Sequence, residues 1–197
     1  MKKITENDIS ESFDRAKALE EKLGVMHILK GLKIGDEFEL ADINWKIIDI
    51  TDVGYMCIGD SLGDKKFDEN SSDWNESSLR EYLNNEFYEK IAREVGRENI
   101  ISSKRNLLSL DGQTEYGESD DFVSLLTVDE YRKYRKLIPN TGDWWWLVTP
   151  WSTPCNEYSK TVTVVSSSGS ISNDYCYYYD GVRPVCIFSS SSFESGD

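Results

Sequence analysis

Imidazole is almost missing from this chain: His27 is the single histidine among 197 residues. A Ser or Cys nucleophile needs a base beside it, so nucleophile–histidine catalysis has one candidate base. His27 follows the first apolar-periodic segment and reads as a solvated or packing side chain. The four cysteines, Cys57, Cys155, Cys176 and Cys186, form no C-x-x-C pair, so zinc is poorly served. An even cysteine count admits disulfides, but no signal-peptide core follows Met1-Lys2-Lys3, and free thiols are expected.

Basic runs and long apolar runs are absent too. No segment approaches the length of a membrane span. The net charge is −14, a potential that repels phosphate backbones and anionic lipid heads. Neither nucleic acid nor membrane insertion is expected. Phosphate-binding glycine loops are missing, as is the EF-hand spacing. The segment from Asp60 to Asp73 is rich in oxygen ligands, which leaves calcium open, although a solvated loop is the simpler reading. No cofactor is expected. The location expected is the cytoplasm, or a phage virion released by lysis.

What is present reads as one domain with appended ends: an N-terminal helix over 1–30, a domain over 31–188 and a polar tail over 189–197. Ile9, Phe13, Ala16, Leu19 and Leu23 recur at helical steps and make an amphipathic helix. It docks on the domain or pairs with a second copy, which leaves a homo-oligomer open. From Gly35 the period becomes two: Asp36–Leu40, Asn44–Ile50 and Gly54–Ile58 read as strands, with a turn at Asp52–Gly54. Ser78-Leu79-Arg80-Glu81 reads as a capping box, followed by Leu79, Leu83 and Phe87 on one helix face. A further short helix is expected around Arg93–Ile100, a loop over Asp111–Asp121 and a strand over Phe122–Leu126. A second capping box at Thr127–Glu130 opens a helix through Arg135.

The C-terminal third changes character. From Leu137 onward there are two basic residues, Lys160 and Arg183, against six acidic ones. Trp144–Val148 and Thr161–Val165 read as strands, with a hydroxyl-rich turn at Ser166–Ser170. Tyr175–Tyr179 and Val182–Phe188 are expected to pair around an Asp180-Gly181 turn. Strands mix with a few helices without regular alternation, so the fold class is α+β.

Between Cys155 and Asp180 the palette is Ser, Tyr and Asn. Tyrosine supplies large contact area at low rotamer cost, and Ser, Gly and Asn supply adaptable hydrogen bonds. Side chains alternate along a strand, so Tyr175, Tyr177, Tyr178 and Tyr179 cannot all face one core. Ordinary cross-strand aromatic pairing and an exposed binding face both remain open. The candidate ligand-binding residues are Asn156, Tyr158, Ser168, Ser170, Asn173, Tyr175, Tyr177, Tyr178 and Tyr179. No catalytic residue and no metal ligand is singled out.

Four stretches carry a resemblance. Asn44–Asp49 resembles a W-[RK]-V-L-D strand, Ser78–Phe87 an SLR-x-[WY]-LN-x-x-F motif, Trp144–Pro150 a WWWLRSP motif and Gly181–Val185 a GVRPA motif. In this order, over Ile34 to Phe188, they are similar to an uncharacterised domain family of Firmicutes and their phages. Val148-Thr149 departs from the usual Arg-Ser. The resemblance implies a C-type-lectin-like fold of the formylglycine-generating-enzyme type, one shared with the variable proteins of diversity-generating retroelements. Those proteins vary a C-terminal segment that binds ligand, and Asn156–Asp180 sits where such a segment would sit. The expected role is display of a surface that binds a protein or glycan at a cell surface, without catalysis. The alternatives are a thiol-oxidase relative, a carbohydrate-active enzyme or a structural virion component. The close cysteine pair of formylglycine-generating enzymes is not matched by Cys155, Cys176 and Cys186. The EPN and WND calcium motifs of sugar-binding lectins are absent, although Asp73-Trp74-Asn75 and Asn156-Glu157 resemble parts of them.

Overall fold

The computed structural model describes residues 31–190. The expected helix at Ile9–Leu23, its role in oligomerisation and His27 all lie outside the described residues.

Strands β1 (Glu37–Leu40), β2 (Ile43–Ile50) and β3 (Gly54–Gly59) form an antiparallel meander where the period-two pattern places them. The β1–β2 turn is Ala41-Asp42, both with φ of 56°. A two-residue hairpin turn with positive φ at both centres matches the strand twist and favours Asn-Gly. Here neither residue is glycine, and other contacts hold the turn. The Ala41 amide donates to the Glu94 carboxylate at 2.9 Å, and Trp45 Nε1 donates to the Leu40 carbonyl at 3.1 Å.

The next elements are a two-residue strand β4 (Asp64–Lys65) and a helical run made of α1 (Ser78–Tyr82), a wide turn over Leu83–Phe87 and α2 (Tyr88–Val95). The run is capped by Ser77, one residue before the expected box: its hydroxyl accepts from the Arg80 amide at 3.1 Å. Ser78 is engaged elsewhere, its amide donating to Asp68. Leu79, Leu83, Phe87 and Ile91 are buried along one face, as the spacing requires. The separate helix expected at Arg93–Ile100 is absorbed into this run. It is followed by a short 3-10 turn over Arg97–Asn99 and by β5 (Ile100–Ile101).

The acidic stretch expected as a loop over Asp111–Asp121 ends in a strand. Strand β6 (Ser103–Asn106) pairs with β7 (Glu118–Asp121), with Lys104 opposite Asp120. Opposite charge across the pair offsets the poor strand propensity of Asp and Glu. Only Val123–Ser124, β8, is extended in the expected Phe122–Leu126 strand. Helix α3 (Val128–Tyr134) opens on the Thr127–Glu130 box with both reciprocal hydrogen bonds in place.

Strands β9 (Trp145–Pro150), β10 (Thr161–Val165) and β11 (Ile171–Tyr175) follow. The hairpin expected from Tyr175–Tyr179 and Val182–Phe188 does not form. Tyr175 ends β11, and Asp180-Gly181 is itself a short strand, β12, placed between β9 and β4. The last strand, β13 (Val185–Ser189), crosses to the first sheet. It pairs with β3 on one side and with β5 and β8 on the other, so it has no edge left for the tyrosines. It also runs one residue into the expected polar tail, and the Ser190 amide donates to the Val53 carbonyl at 3.1 Å.

The two larger sheets therefore have the orders β1-β2-β3-β13-β5, with β8 also on β13, and β11-β10-β9-β12-β4. Two apolar clusters lie on opposite faces of the central strands. Ile47, Cys57, Trp146 and Val148 point into one with the helical run, and Ile48, Met56, Trp145 and Leu147 into the other with α3. That double burial explains the near-continuous apolar runs of β3 and β9. The fold is α+β and mostly sheet.

The motif Ser78–Phe87 has a structural explanation. Asp121, 1% exposed, accepts from Arg80 Nε at 2.6 Å, from Trp74 Nε1 at 2.8 Å and from the Ser119 hydroxyl at 2.6 Å. The Asn84 amide donates to the Val123 carbonyl at 2.8 Å and accepts from the Phe122 and Val123 amides. Arg80 and Asn84 thus fasten the helical run to the β7–β8 segment. Arg183, in the Gly181–Val185 stretch, is buried; it donates to the Gly59 carbonyl and stacks 5.3 Å from the Trp145 ring. Burial pushes its pKa down, and Nη1 finds no hydrogen-bond partner among the described residues.

Candidate functional site

The nine expected ligand-binding residues fall into four places. Asn156 ends a 3-10 turn over Pro154–Asn156, and its amide donates to Asp111 at 2.7 Å. Hydrogen bonds from Ser109, Ser152 and Asn156 hold the Asp111 carboxyl below its usual range. This spot is an internally satisfied loop lock. Ser168 and Ser170 sit on the β10–β11 turn. The Gly169 carbonyl there accepts from Tyr131, and the Ser168 carbonyl accepts from Asn140. Gly169 has φ of 84°, a conformation that side-chain-bearing residues rarely adopt, and a Cβ there would also displace the ends of Arg135 and Asn140. Asn173 is exposed midway along β11, opposite Thr163.

The tyrosines gather at the other end of that hairpin. Cys176 anchors them: its amide donates to the Lys160 carbonyl, and its own carbonyl accepts from the Phe67 and Asp68 amides. The Tyr178 amide closes a turn onto the Tyr175 carbonyl at 2.9 Å. Tyr175, Tyr178 and Tyr179 are 49%, 50% and 66% exposed, while Tyr177 is half-buried against the core. The rings brace one another: Tyr175 stacks on Tyr177 at 5.3 Å, and Tyr178 meets Tyr177 edge-on at 5.1 Å. Tyr158, 54% exposed, lies in the segment that leads into β10, the strand whose first residue, Thr161, faces Tyr175. The alternation argument correctly leaves some tyrosines exposed: Tyr175 at the end of β11, and Tyr178 and Tyr179 in the turn that follows it.

Beside this turn lies a cleft of about 390 Å³ that the sequence does not announce. Asp64, Asp143, Asp174, Asp180, Trp144 and Tyr179 line it. The pairing of β12 with β4 brings Asp180-Gly181 onto Asp64-Lys65, and Trp144 precedes β9 with 40% of its surface exposed. Asp180 is 8% exposed, and its Oδ2 has no hydrogen-bond partner among the described residues. Burial, with Asp174 and Asp64 close by, pushes its pKa up to about 6. The only hint in the sequence is an aspartate wedged between tyrosines and an apolar strand, and Asp180-Gly181 reads as a turn on those terms.

Among the described residues, no group of three or more His, Cys, Asp or Glu side chains is arranged to hold a metal ion. No helix of the described residues is long and apolar enough to cross a membrane.

Residues 92–190 match the family described as Domain of unknown function (DUF6273). That span holds the Trp144–Pro150 and Gly181–Val185 stretches, while Asn44–Asp49 and Ser78–Phe87 precede it. No curated protein and no solved structure matches the chain.

Proposed function

The chain belongs to the family described as Domain of unknown function (DUF6273), and we propose that it is a non-catalytic ligand-binding protein on a C-type-lectin-like scaffold. Its recognition surface is the tyrosine turn, and its target is a protein or glycan at a cell surface. The supporting observation is that Tyr175, Tyr178 and Tyr179 stay exposed while the rings of Tyr175, Tyr177 and Tyr178 brace one another on a buried anchor. Aromatic side chains held in place before contact lose little rotamer freedom on binding. Exposed apolar area gathered in one spot marks an interaction surface more often than a scattered one does.

A fluorescently labelled chain, applied to a glycan microarray and to fixed bacterial cells, tests this against Tyr178→Ala/Tyr179→Ala. The expected result is loss of binding with an unchanged melting temperature, because neither ring is buried. Retained binding, or global unfolding of the double variant, overturns it. Variation of the segment by a retroelement is a narrower proposal. It requires a near-copy of the codons for Cys155–Cys186, differing at adenines, beside a reverse-transcriptase gene.

One observation favours a carbohydrate-active enzyme as the second reading: Asp174 and Asp180 share a cleft with Trp144. Glycoside hydrolysis pairs one protonated carboxyl with one ionised carboxylate, and unequal surroundings can separate two such groups. Turnover of an aryl-glycoside panel that disappears in Asp180→Asn would establish that reading over the first.

A further inference from the structure

We propose that the cleft beside β12 binds an organic cation, an ammonium or guanidinium group, with Asp180 as its buried counter-ion. The inference goes beyond the tyrosine surface and does not depend on it.

Four carboxylates line the cleft, and no basic side chain does. The nearest cations on β4 and after it are engaged elsewhere. Lys65 stands opposite Asp180 in the register, yet its ammonium lies 4.1 Å from the Tyr82 ring centre. Lys66 pairs with Glu69 at 2.7 Å and covers one face of Tyr179. The charge inside the cleft is therefore uncompensated. Asp180 Oδ2 is itself closed to solvent and has no donor among the described residues, so an occupant of the cleft answers the charge of the Asp180 side chain that lines it and not that oxygen.

The shape and walls select among donors. About 390 Å³ suits a small organic group. The described carboxylates are not grouped to enclose a bare metal ion. A neutral sugar would supply hydrogen bonds but leave the charge unanswered. Trp144 offers an exposed indole at the rim, and indole faces attract ammonium and guanidinium groups within about 6 Å. A protonated amine or guanidine satisfies the aspartate and the ring together.

Calorimetric titration of the full chain at pH 7.5 and low salt tests the proposal. The probes are the acetylated methylamides of lysine, arginine and norleucine, together with spermidine, methyl glucoside and calcium chloride. The lysine or arginine probe, or spermidine, is expected to bind at least tenfold more tightly than norleucine. Asp180→Asn should weaken that binding at least tenfold, Trp144→Ala should weaken it severalfold, and Tyr178→Ala should leave it intact. Tighter binding of the amino-acid probes names a protein side chain as the source, and tighter binding of spermidine names a free polyamine. Binding should also fall as pH drops from 7.5 to 5. Asp180 takes up its proton in that interval, with Asp64, Asp143 and Asp174 around it and Lys65 and Lys66 turned to their own partners. Equal affinity for norleucine overturns the proposal, as does unchanged affinity in both the Asp180 and Trp144 variants. Binding of calcium or methyl glucoside alone overturns it as well. Should Asp180→Asn fail to fold, Asp174→Asn and Trp144→Ala carry the same comparison.

Discussion

Cys57 and Cys186 stand directly opposite each other on adjacent antiparallel strands, and both are buried. Burial pushes both thiols well above the ordinary range. Thiol reagents need access and a thiolate, and neither residue offers either. Cys176 is also buried, its pKa pushed up to about 11. Cys155 is exposed, and its Sγ lies 2.8 Å from Glu115 Oε1, a hydrogen bond that favours the protonated thiol. An aromatic disulfide reagent should therefore titrate one thiol per native chain and four after denaturation. Glu115→Gln should speed the native reaction at pH 7.5. Fast labelling of more than one thiol would contradict the packing.

Removing the shared acceptor of the helical run should be expensive. Asp121→Ala leaves Trp74 Nε1 and the Arg80 guanidinium without their common partner. Breaking a buried ion pair by deleting one member costs roughly 3–5 kcal/mol. Arg80 is partly exposed and can turn toward water, so about 3 kcal/mol is expected by urea denaturation. A loss below about 1 kcal/mol would show that the hub is dispensable.

The Ala41-Asp42 turn should accept glycine with profit. Asp42 has φ of 56°, a conformation that costs an L-residue roughly 1 kcal/mol. Its ion pair with Lys90 at 3.2 Å is exposed and contributes little. Asp42→Gly should therefore raise stability by about 0.5–1 kcal/mol, as a shift in the denaturation midpoint without a change in slope. A lower midpoint would mean that the Lys90 contact outweighs the backbone strain.

Asp180 should make stability fall as pH rises. Its folded pKa, about 6, lies above the ordinary aspartate value of 3.8. Between those values the folded chain holds the proton more tightly than the unfolded one, so protonation favours folding. Stability from this group is highest below about pH 4 and is lost as pH climbs through 6. Asp180→Asn should then raise the melting temperature at pH 7.5, by the equivalent of about 3 kcal/mol, with little change at pH 4. Equal shifts at both pH values would assign the effect to packing instead.

The amino-acid order is legible where structure follows from local chemistry. The alternation of Glu37–Leu40 marks a strand because burial on one face and pairing on an edge need only a period of two. Thr127 and Glu130 mark a helix start because the two groups satisfy each other's neighbouring amides. The same logic misplaces the C-terminal tyrosines. A run of β-prone residues around Asp180-Gly181 is what a hairpin looks like, and nothing local says that β13 already has both edges occupied.

The candidate site divides along the same line. That tyrosines in the 175–179 segment cannot all be buried follows from the sequence alone, since adjacent side chains point apart. That Ser168 and Ser170 stand at the far end of the hairpin from them, and that Asn156 is tied to Asp111, was decided by the tertiary structure. So was the cleft. Asp64 and Asp180 are neighbours only because β12 inserts between β9 and β4. The charge and proton affinity of a carboxylate depend on what surrounds it in space, and chain order leaves those surroundings open until the strands pair.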